Sequence, residues 1–354
     1  MKTILITGGA GFVGSNLALL LKEQYSNQRI ICLDNLKRRG SEFNLDRLKK
    51  FGIEFIHGDI RLKEDLFQLP KIDSIIECSA EPSVLAGIGE SPEYLIQTNL
   101  LGTIHCLELA RRDHSDILFL STSRVYPIQT INALNYIETQ TRFELTDIQT
   151  IQGASNNGLT EKFPLDGIRS LYGTTKLSSE LFIQEYIDVY GIRGIINRCG
   201  VLTGPWQMGK VDQGVIVFWA ANHIYNKQLS YFGYGGEGKQ VRDILHIKDL
   251  FNLIQIQLKN IDSLNGMIFN VGGGRKISTS LYELTEICSK LTSKSMQINK
   301  VKEDRISDIR IYITDNSHVK NSTGWEPIIS VNLIMEEIIQ WITDNKDLLR
   351  PIFG

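Results

Sequence analysis

A tyrosine and a lysine four residues apart, Tyr172 and Lys176, open an apolar-periodic stretch running from Leu171 to Tyr190. At that spacing the two side chains share one helix face. A phenol is a poor base at neutral pH because its reference pKa is about 10. An ammonium beside it favours the phenolate, which can then take a proton from an alcohol. Among twelve tyrosines such a pair also arises by chance as surface neighbours, so its position must decide. It follows the strand-like run Ile117–Leu120 and the hydroxyl of Thr122, where a parallel sheet presents its C-terminal edge to a ligand. Thr122, Tyr172 and Lys176 then fit a hydroxyl–tyrosine–lysine site that deprotonates a substrate hydroxyl, with Thr122 holding the same oxygen.

Such a site needs an acceptor for the hydride, and the first residues describe one. The apolar run Thr3–Thr7 leads into Gly8-Gly9-Ala10-Gly11-Phe12-Val13-Gly14, a helical pattern, and a second apolar run ending at Asp34. Gly8 lets the chain turn off the strand. Gly11 leaves room for a pyrophosphate at the N–H groups of Phe12 and Val13, and Gly14 lets helix and strand approach. Asp34 lies twenty residues beyond Gly14, where a carboxylate takes the ribose hydroxyls of the adenosine half. It would repel a 2′-phosphate, which favours NAD over NADP, although Lys37, Arg38 and Arg39 follow it closely. Lys176 would also anchor the nicotinamide ribose.

The elements that position these groups read as an α/β chain. Apolar strands alternate with helical periods through the first half: a helix over Phe12–Glu23, strands at Glu54–Ile60, Ile72–Cys78 and Ile117–Leu120, and a long helix over Tyr94–Arg112. Asp59 suits either a bond to the adenine amine or the N-cap of a helix over Leu62–Leu66. The polar segment 127–170, with its turn signal Asn156-Asn157-Gly158, reads as a functional loop or lid. After the 171–190 helix come a strand at Gly194–Arg198, a helix near Gln213–Tyr225, a strand at Gln240–Leu245, a helix at Lys248–Leu258 and a strand at Met267–Val271. Helices over Leu281–Leu291 and Val331–Thr343 follow. The pattern predicts a Rossmann-type, doubly wound parallel sheet with a smaller C-terminal substrate domain. Residues 1–200 would form the NAD-binding domain, with 240–270 returning to it, and 201–239 with 271–354 the substrate domain.

Composition narrows the function. The chain has 354 residues, is 42% apolar and carries a formal net charge of −2, which argues against nucleic acid or an acidic membrane surface. No apolar run approaches a membrane span, and a core strand at the very start leaves no room for a signal peptide. The five cysteines and six histidines show no metal-ligand spacing, so no metal is expected. Buried free thiols fit a reducing cytoplasm.

The glycine turn, Asp34-Asn35-Leu36, Gly58-Asp59-Ile60-Arg61, Asn99-Leu100-Leu101-Gly102-Thr103, Tyr172–Lys176, Gly238–Asp243 and Arg305…Asp308…Arg310 together resemble the extended short-chain dehydrogenase/reductases that epimerise nucleotide sugars. Arg39-Gly40, Tyr136-Ile137-Glu138-Thr139 and Asp212-Gln213-Gly214 are most similar to the members that invert C2 of a CDP-linked dideoxyhexose. The resemblance covers nearly the whole chain. It implies tightly held NAD, transient oxidation of a sugar carbon to a ketone and hydride return to the opposite face. It also implies a cofactor pocket that includes Asn35, Ile60, Asn99 and Arg198, a homodimer or homotetramer paired through its long helices, and a place in polysaccharide or O-antigen biosynthesis.

The substrate half falls on other residues. A diphosphate wants guanidinium forks, for which Arg242, Arg305 and Arg310 are candidates unless each merely pairs with Asp243 or Asp308. Gln213 would contact the sugar or base; Trp206 and Trp219 are stacking platforms or core, and Cys199 is packing. Ser123 and Arg124 would lie at the substrate. They stand where the 4,6-dehydratases of this family carry an Asp-Glu pair, so elimination lacks its acid and base. Two further departures lie near the sugar pocket: Glu77-Cys78-Ser79-Ala80 replaces the usual His-Leu-Ala-Ala/Gly, and Pro127 replaces a glycine after Val125-Tyr126. The alternatives are a UDP-sugar 4-epimerase, a 4,6-dehydratase, or a non-catalytic NAD-binding protein.

Overall fold

Strand β1 (Thr3–Thr7) is wholly buried and runs into the glycine turn, from which α1 (Phe12–Gln24) emerges. In this computed structural model, which describes residues 2–210 and 213–354, the chain divides into two units. The first contains Met1–Val125, Ser170–Arg198 and Leu250–Phe269, and the second Tyr126–Arg169, Cys199–Asp249 and Asn270–Gly354.

The first unit is built on β1, β2 (Arg29–Asp34), β3 (Glu54–His57), β4 (Ser74–Glu77), β5 (Asp116–Thr122) and β6 (Gly194–Cys199). With the strand Ile268–Val271, inside which the chain passes to the second unit, they make one seven-stranded sheet. Its order is Ile268–Val271, β6, β5, β4, β1, β2, β3, with parallel pairing from β5 through β3. Reversal of strand order at β1/β4 is the crevice where open α/β sheets bind ligands. Helices α2 (Gly102–Asp113) and α3 (Leu171–Tyr190) pack on the sheet over a core of Leu5, Ile31, Ile75, Phe119, Leu107 and Ile183.

Helix α3 begins and ends where its sequence dictates. The Ser170 hydroxyl accepts the Gly173 N–H at 3.1 Å, and Gly191, at φ +66°, closes the helix in the left-handed region. The long helix expected over Tyr94–Arg112 is interrupted: Glu93–Ile96 leads through a π turn, Gln97–Leu101, into α2. The π turn frees the carbonyl of Asn99, which accepts the hydroxyl of Ser179 at 2.8 Å and lies 2.9 Å from the Thr103 oxygen.

The second unit holds a four-stranded sheet, Val201–Thr203 beside Val241–His246 beside Ser278–Ser280, with Ile311–Tyr312 also paired to Val241–His246. Helices Val215–Tyr225, Leu281–Thr292 and Val331–Asp344 pack on one another.

The domain boundaries need correction. Segment 126–169 and residues 240–249 belong to the second unit, which is no smaller than the first. Nor is 127–170 a loose lid. It carries a short helix, Ile128–Asn132, and two hairpins, Tyr136–Glu138 with Phe143–Leu145 and Ala154–Ser155 with Gly158–Leu159. Leu159 is tied to Ile313 and Asp315 by backbone bonds of 2.8 and 3.0 Å. The Asn156-Asn157-Gly158 signal is the turn of the second hairpin. No described helix is long and apolar enough to cross a membrane.

Candidate active site

The glycine turn of the first unit is a cradle shaped for a phosphate. Gly8 has φ +63°, a conformation costly for other residues, and its carbonyl accepts the Gly11 N–H at 2.9 Å. A Cβ on Gly14 would lie 2.3 Å from the Gly8 oxygen, so helix and strand touch there. A Cβ on Gly11 would meet only the Gly8 oxygen, at 3.1 Å, so its open side faces away from the protein backbone. Helix α1 has no side-chain cap and no acid in its first turn. Its N-terminal N–H groups, those of Phe12 and Val13 included, therefore point their partial positive charge outward.

At the end of β2, Asp34 accepts the N–H of Ala10 at 3.1 Å and of Leu36 at 2.8 Å, which pins the glycine turn to the strand end. Burial pushes its carboxyl above the ordinary range, against those bonds. Asn35 donates to Asp59 at 2.9 Å, and Arg61 forks onto the same carboxylate with a closest approach of 2.7 Å. Burial opposes the Asp59 charge, but the bonds from Arg61 and Asn35 outweigh it and hold the carboxyl at about 2. The helix Lys63–Phe67 starts at Leu62 without a side-chain cap, so Asp59 is not its N-cap. Ile60 is buried, and its carbonyl meets the His105 ring at 2.8 Å. Lys37 lies with its ammonium 2.9 Å from the centre of the Tyr94 ring.

Thr122 closes β5, buried, with its hydroxyl accepting the Arg124 N–H at 3.2 Å; Ser123 and Arg124 form the 3-10 turn that follows. Helix α3 packs on β5 and on that turn. Tyr172 is half-buried in the first turn of α3, while Lys176 is 2% exposed with its ammonium 3.8 Å above the Phe119 ring of β5. Two residues on, Ser121 donates to Glu180 of the same helix. The first unit thus carries the expected triad and the glycine cradle together.

Asn99 and Arg198 are engaged differently from a simple ligand contact. Asn99 accepts the Glu81 N–H at 2.7 Å and donates to the Glu81 carbonyl at 3.0 Å and to Thr175 at 3.3 Å, stapling the loop after β4 to α3. Arg198 forks onto Glu180. Their side chains hold the walls of the site in place.

Within the second unit, Arg242 is bound to Asp308 at 3.1 Å and to the carbonyls of Ile309 and Val241 at 2.6 and 2.8 Å. Its neighbour Asp243 is fully buried and instead accepts the N–H groups of Gly274 and Thr314. Arg310 is caged by aromatic rings, 4.2 Å from the centre of Tyr136 and 4.8 Å from that of Tyr234, and its buried Nε makes no hydrogen bond. Arg305 lies 3.8 Å from the centre of Phe232. Gln213 closes a tight backbone bridge with Lys210, while Asp212 lies outside the described residues. Trp219 is core, stacked on Tyr231 with its indole N–H bound to Thr285; Trp206 sits against Trp341; Cys199 is buried.

Known proteins similar to this chain identify its family. The model of the NAD dependent epimerase/dehydratase family matches residues 4–272. The chain belongs to that family. It is 32% identical over 346 residues to CDP-paratose 2-epimerase of Salmonella typhi, covering 96% of this chain and 98% of that one. It is 26% identical over 363 residues to UDP-glucuronate 4-epimerase of Thermodesulfobacterium geofontis, covering 99% of each. Among solved structures, dTDP-glucose 4,6-dehydratase of Bacillus anthracis in complex with NAD superposes with TM-score 0.78 at 26% identity, over 99% of this chain and 100% of that one.

An NAD-dependent epimerase/dehydratase must hold a dinucleotide, and the first unit fits one. The uncapped start of α1 and the open side of Gly11 suit the pyrophosphate, and the half-buried Asp34 suits a ribose diol. Two residues of the site had no role assigned from the sequence. Glu180 could be found only by knowing that Arg198 faces α3. Glu77 stood in view as a carboxylate ending an apolar strand.

Proposed function

We propose that this family member is an NAD-dependent nucleotide-sugar epimerase that inverts C2 of a CDP-linked dideoxyhexose, converting CDP-paratose to CDP-tyvelose. The observation that carries the epimerase reading is the first unit's combination of Tyr172 and buried Lys176 on one helix with Thr122 at the end of the strand that helix covers. Tyr172 takes the proton of a sugar hydroxyl, Thr122 holds the same oxygen, and Lys176 favours the phenolate. Bound NAD supplies a hydride acceptor that gives the hydride back to the other face of the ketone. Ser123 and Arg124 offer no acid–base pair, which weighs against water elimination. The likeness to CDP-paratose 2-epimerase supports the C2 assignment. The likeness to UDP-glucuronate 4-epimerase supports the runner-up, a UDP-sugar 4-epimerase.

In the second unit Arg310, with its unspent buried Nε, and Arg242 are proposed to grip the diphosphate, with Arg305 and Gln213 toward the nucleotide and sugar. Helix α3 exposes Leu181, Phe182 and Val189, an apolar stripe suited to a second copy of the chain, so a homodimer or dimer of dimers is proposed. Five cysteines outside any disulfide fit work in a reducing cytoplasm.

The decisive experiment offers CDP-, UDP-, GDP- and dTDP-sugars in heavy water and reads the products by NMR. A C2-inverted CDP-sugar without solvent deuterium is the expected product. A dehydrated product carrying deuterium would establish elimination instead, and retained NAD with no turnover on any sugar would favour a binding protein.

A further inference from the structure

Glu77, the last residue of β4, has no exposed surface. Its neighbours fix its direction. In the sheet it pairs with Thr7 of β1 on one side and Phe119 of β5 on the other. Residues paired across parallel strands present their side chains to the same face. From above that face, Thr103 of α2 donates to Glu77 Oε1 at 2.8 Å, and the Lys176 ammonium of α3 lies 3.8 Å from the centre of the Phe119 ring. The second oxygen, Oε2, is buried without a hydrogen bond, as is the Thr7 hydroxyl at the paired position.

A buried carboxylate with one oxygen unbonded is costly unless an opposite charge acts on it. Burial pushes the Glu77 carboxyl up to about 7, and the Lys176 ammonium and the Thr103 bond pull against that rise. Cys106 of α2 also feels Glu77, but burial holds its thiol un-ionised far above the usual range. Among the described residues, Lys176 is therefore the charged group that meets this carboxylate. Lys176 is likewise almost fully buried, so little water screens the two from each other.

We propose that Glu77 is a positioning residue of the epimerisation, acting through Lys176: its charge sets how strongly the ammonium favours the Tyr172 phenolate. This rests on the assignment of Tyr172 as the base. An ionised Glu77 shares the field of the ammonium; a protonated Glu77 leaves that field to Tyr172. Removing the negative charge then makes both Tyr172 and Lys176 stronger acids.

Glu77→Gln keeps the shape and the Thr103 bond and removes the charge. Limbs of its kcat–pH profile that lie above about pH 7, where the parent Glu77 is ionised, should move to lower pH by about one unit, with NAD still retained. Thr103→Val, which weakens the carboxylate rather than deleting it, should move them the same way by less, and covers the case in which Glu77→Gln fails to fold. Infrared pH-difference spectra of the purified protein give a readout independent of turnover. A protonated-carboxyl component that grows as the pH falls through about 7 should be missing in Glu77→Gln, which keeps the component of buried Asp243 near pH 6. Unmoved limbs in folded variants, limbs moved upward, or a component near pH 7 that persists in Glu77→Gln would each overturn the proposal. Tyr172→Phe separates it from the reading beneath. An inactive Tyr172→Phe with unmoved Glu77→Gln limbs removes Glu77 alone, whereas an active Tyr172→Phe removes both.

Discussion

Arg198 and Glu180 form an ion pair at 2.7 Å with side chains only 4% and 0% exposed, joining β6 to the helix that carries Tyr172 and Lys176. Glu180 also accepts the Ser121 hydroxyl, so three elements converge on one carboxylate. Breaking a buried pair strands the remaining charge. Arg198→Ala should cost about 3–5 kcal/mol of unfolding free energy. The double variant Arg198→Met with Glu180→Leu should recover most of that loss. Urea unfolding of the three proteins checks both statements. If Arg198 instead serves chiefly as a nicotinamide ligand, the double variant will regain stability and still lose NAD.

The two glycines of the cradle should fail differently. Gly14→Ala drives a methyl to 2.3 Å from the Gly8 carbonyl oxygen, where backbone must move, and should lower stability by about 1–3 kcal/mol. Gly11→Ala meets only one atom at 3.1 Å, so the unloaded protein should melt close to the parent temperature. Its new methyl occupies the open side assigned to the pyrophosphate, and NAD affinity should fall at least tenfold. Melting curves with and without added NAD distinguish the two; equal damage to stability in both would remove Gly11 from the phosphate site.

What could be read from the residues was what short-range chemistry decides. Strand, glycine turn, helix and acid from Thr3 to Asp34 are consecutive, and the Ser170 cap and Gly191 stop bracket α3, so these elements were legible. Segment 127–170 was not. Its strands are two or three residues long, and Leu159 finds its partners at Ile313 and Asp315, far along the chain. No local pattern encodes such pairing. Spacing leaves the two readings of Asp59 equal, and the start of the helix at Leu62, with Asp59 taken up by Asn35 and Arg61, removes the cap. The Arg242 partner was similarly open between Asp243 and Asp308. Alternation along the strand buries Asp243 under Gly272–Gly274 and leaves Asp308 to the guanidinium.

Arg310 and Arg242 should part on kinetics. Arg310 has an unbonded buried Nε and is held by rings, so its donors are available to an anion. Arg310→Ala should raise the substrate KM about tenfold to a hundredfold with a smaller change in kcat. Arg242 also ties down the carbonyls of Val241 and Ile309, so Arg242→Ala should raise KM and lower the melting temperature together. A KM unchanged in Arg310→Ala would leave that residue a packing element of the Tyr136–Tyr234 cage.

Stability should depend on pH with a sign set by three carboxyls. Burial raises Glu77 to about 7 and Asp243 to about 6, so the folded chain keeps protons there that the unfolded chain releases. Their contribution is full below the ordinary carboxylate range and is lost as the pH rises through about 6 and then about 7. Asp59, held at about 2 by Arg61 and Asn35 in spite of its burial, acts in the opposite sense. Its contribution is full above the ordinary range and fades as the pH falls toward about 2. Unfolding free energy should therefore peak in mild acid and decline between about pH 5 and pH 8. Glu77→Gln should flatten the upper part of that decline, and Asp59→Asn should flatten the acid side. Urea titrations at several pH values supply the test, and a decline unchanged in Glu77→Gln would place the raised proton affinity on the other raised carboxyls, Asp243 and Asp34 among them.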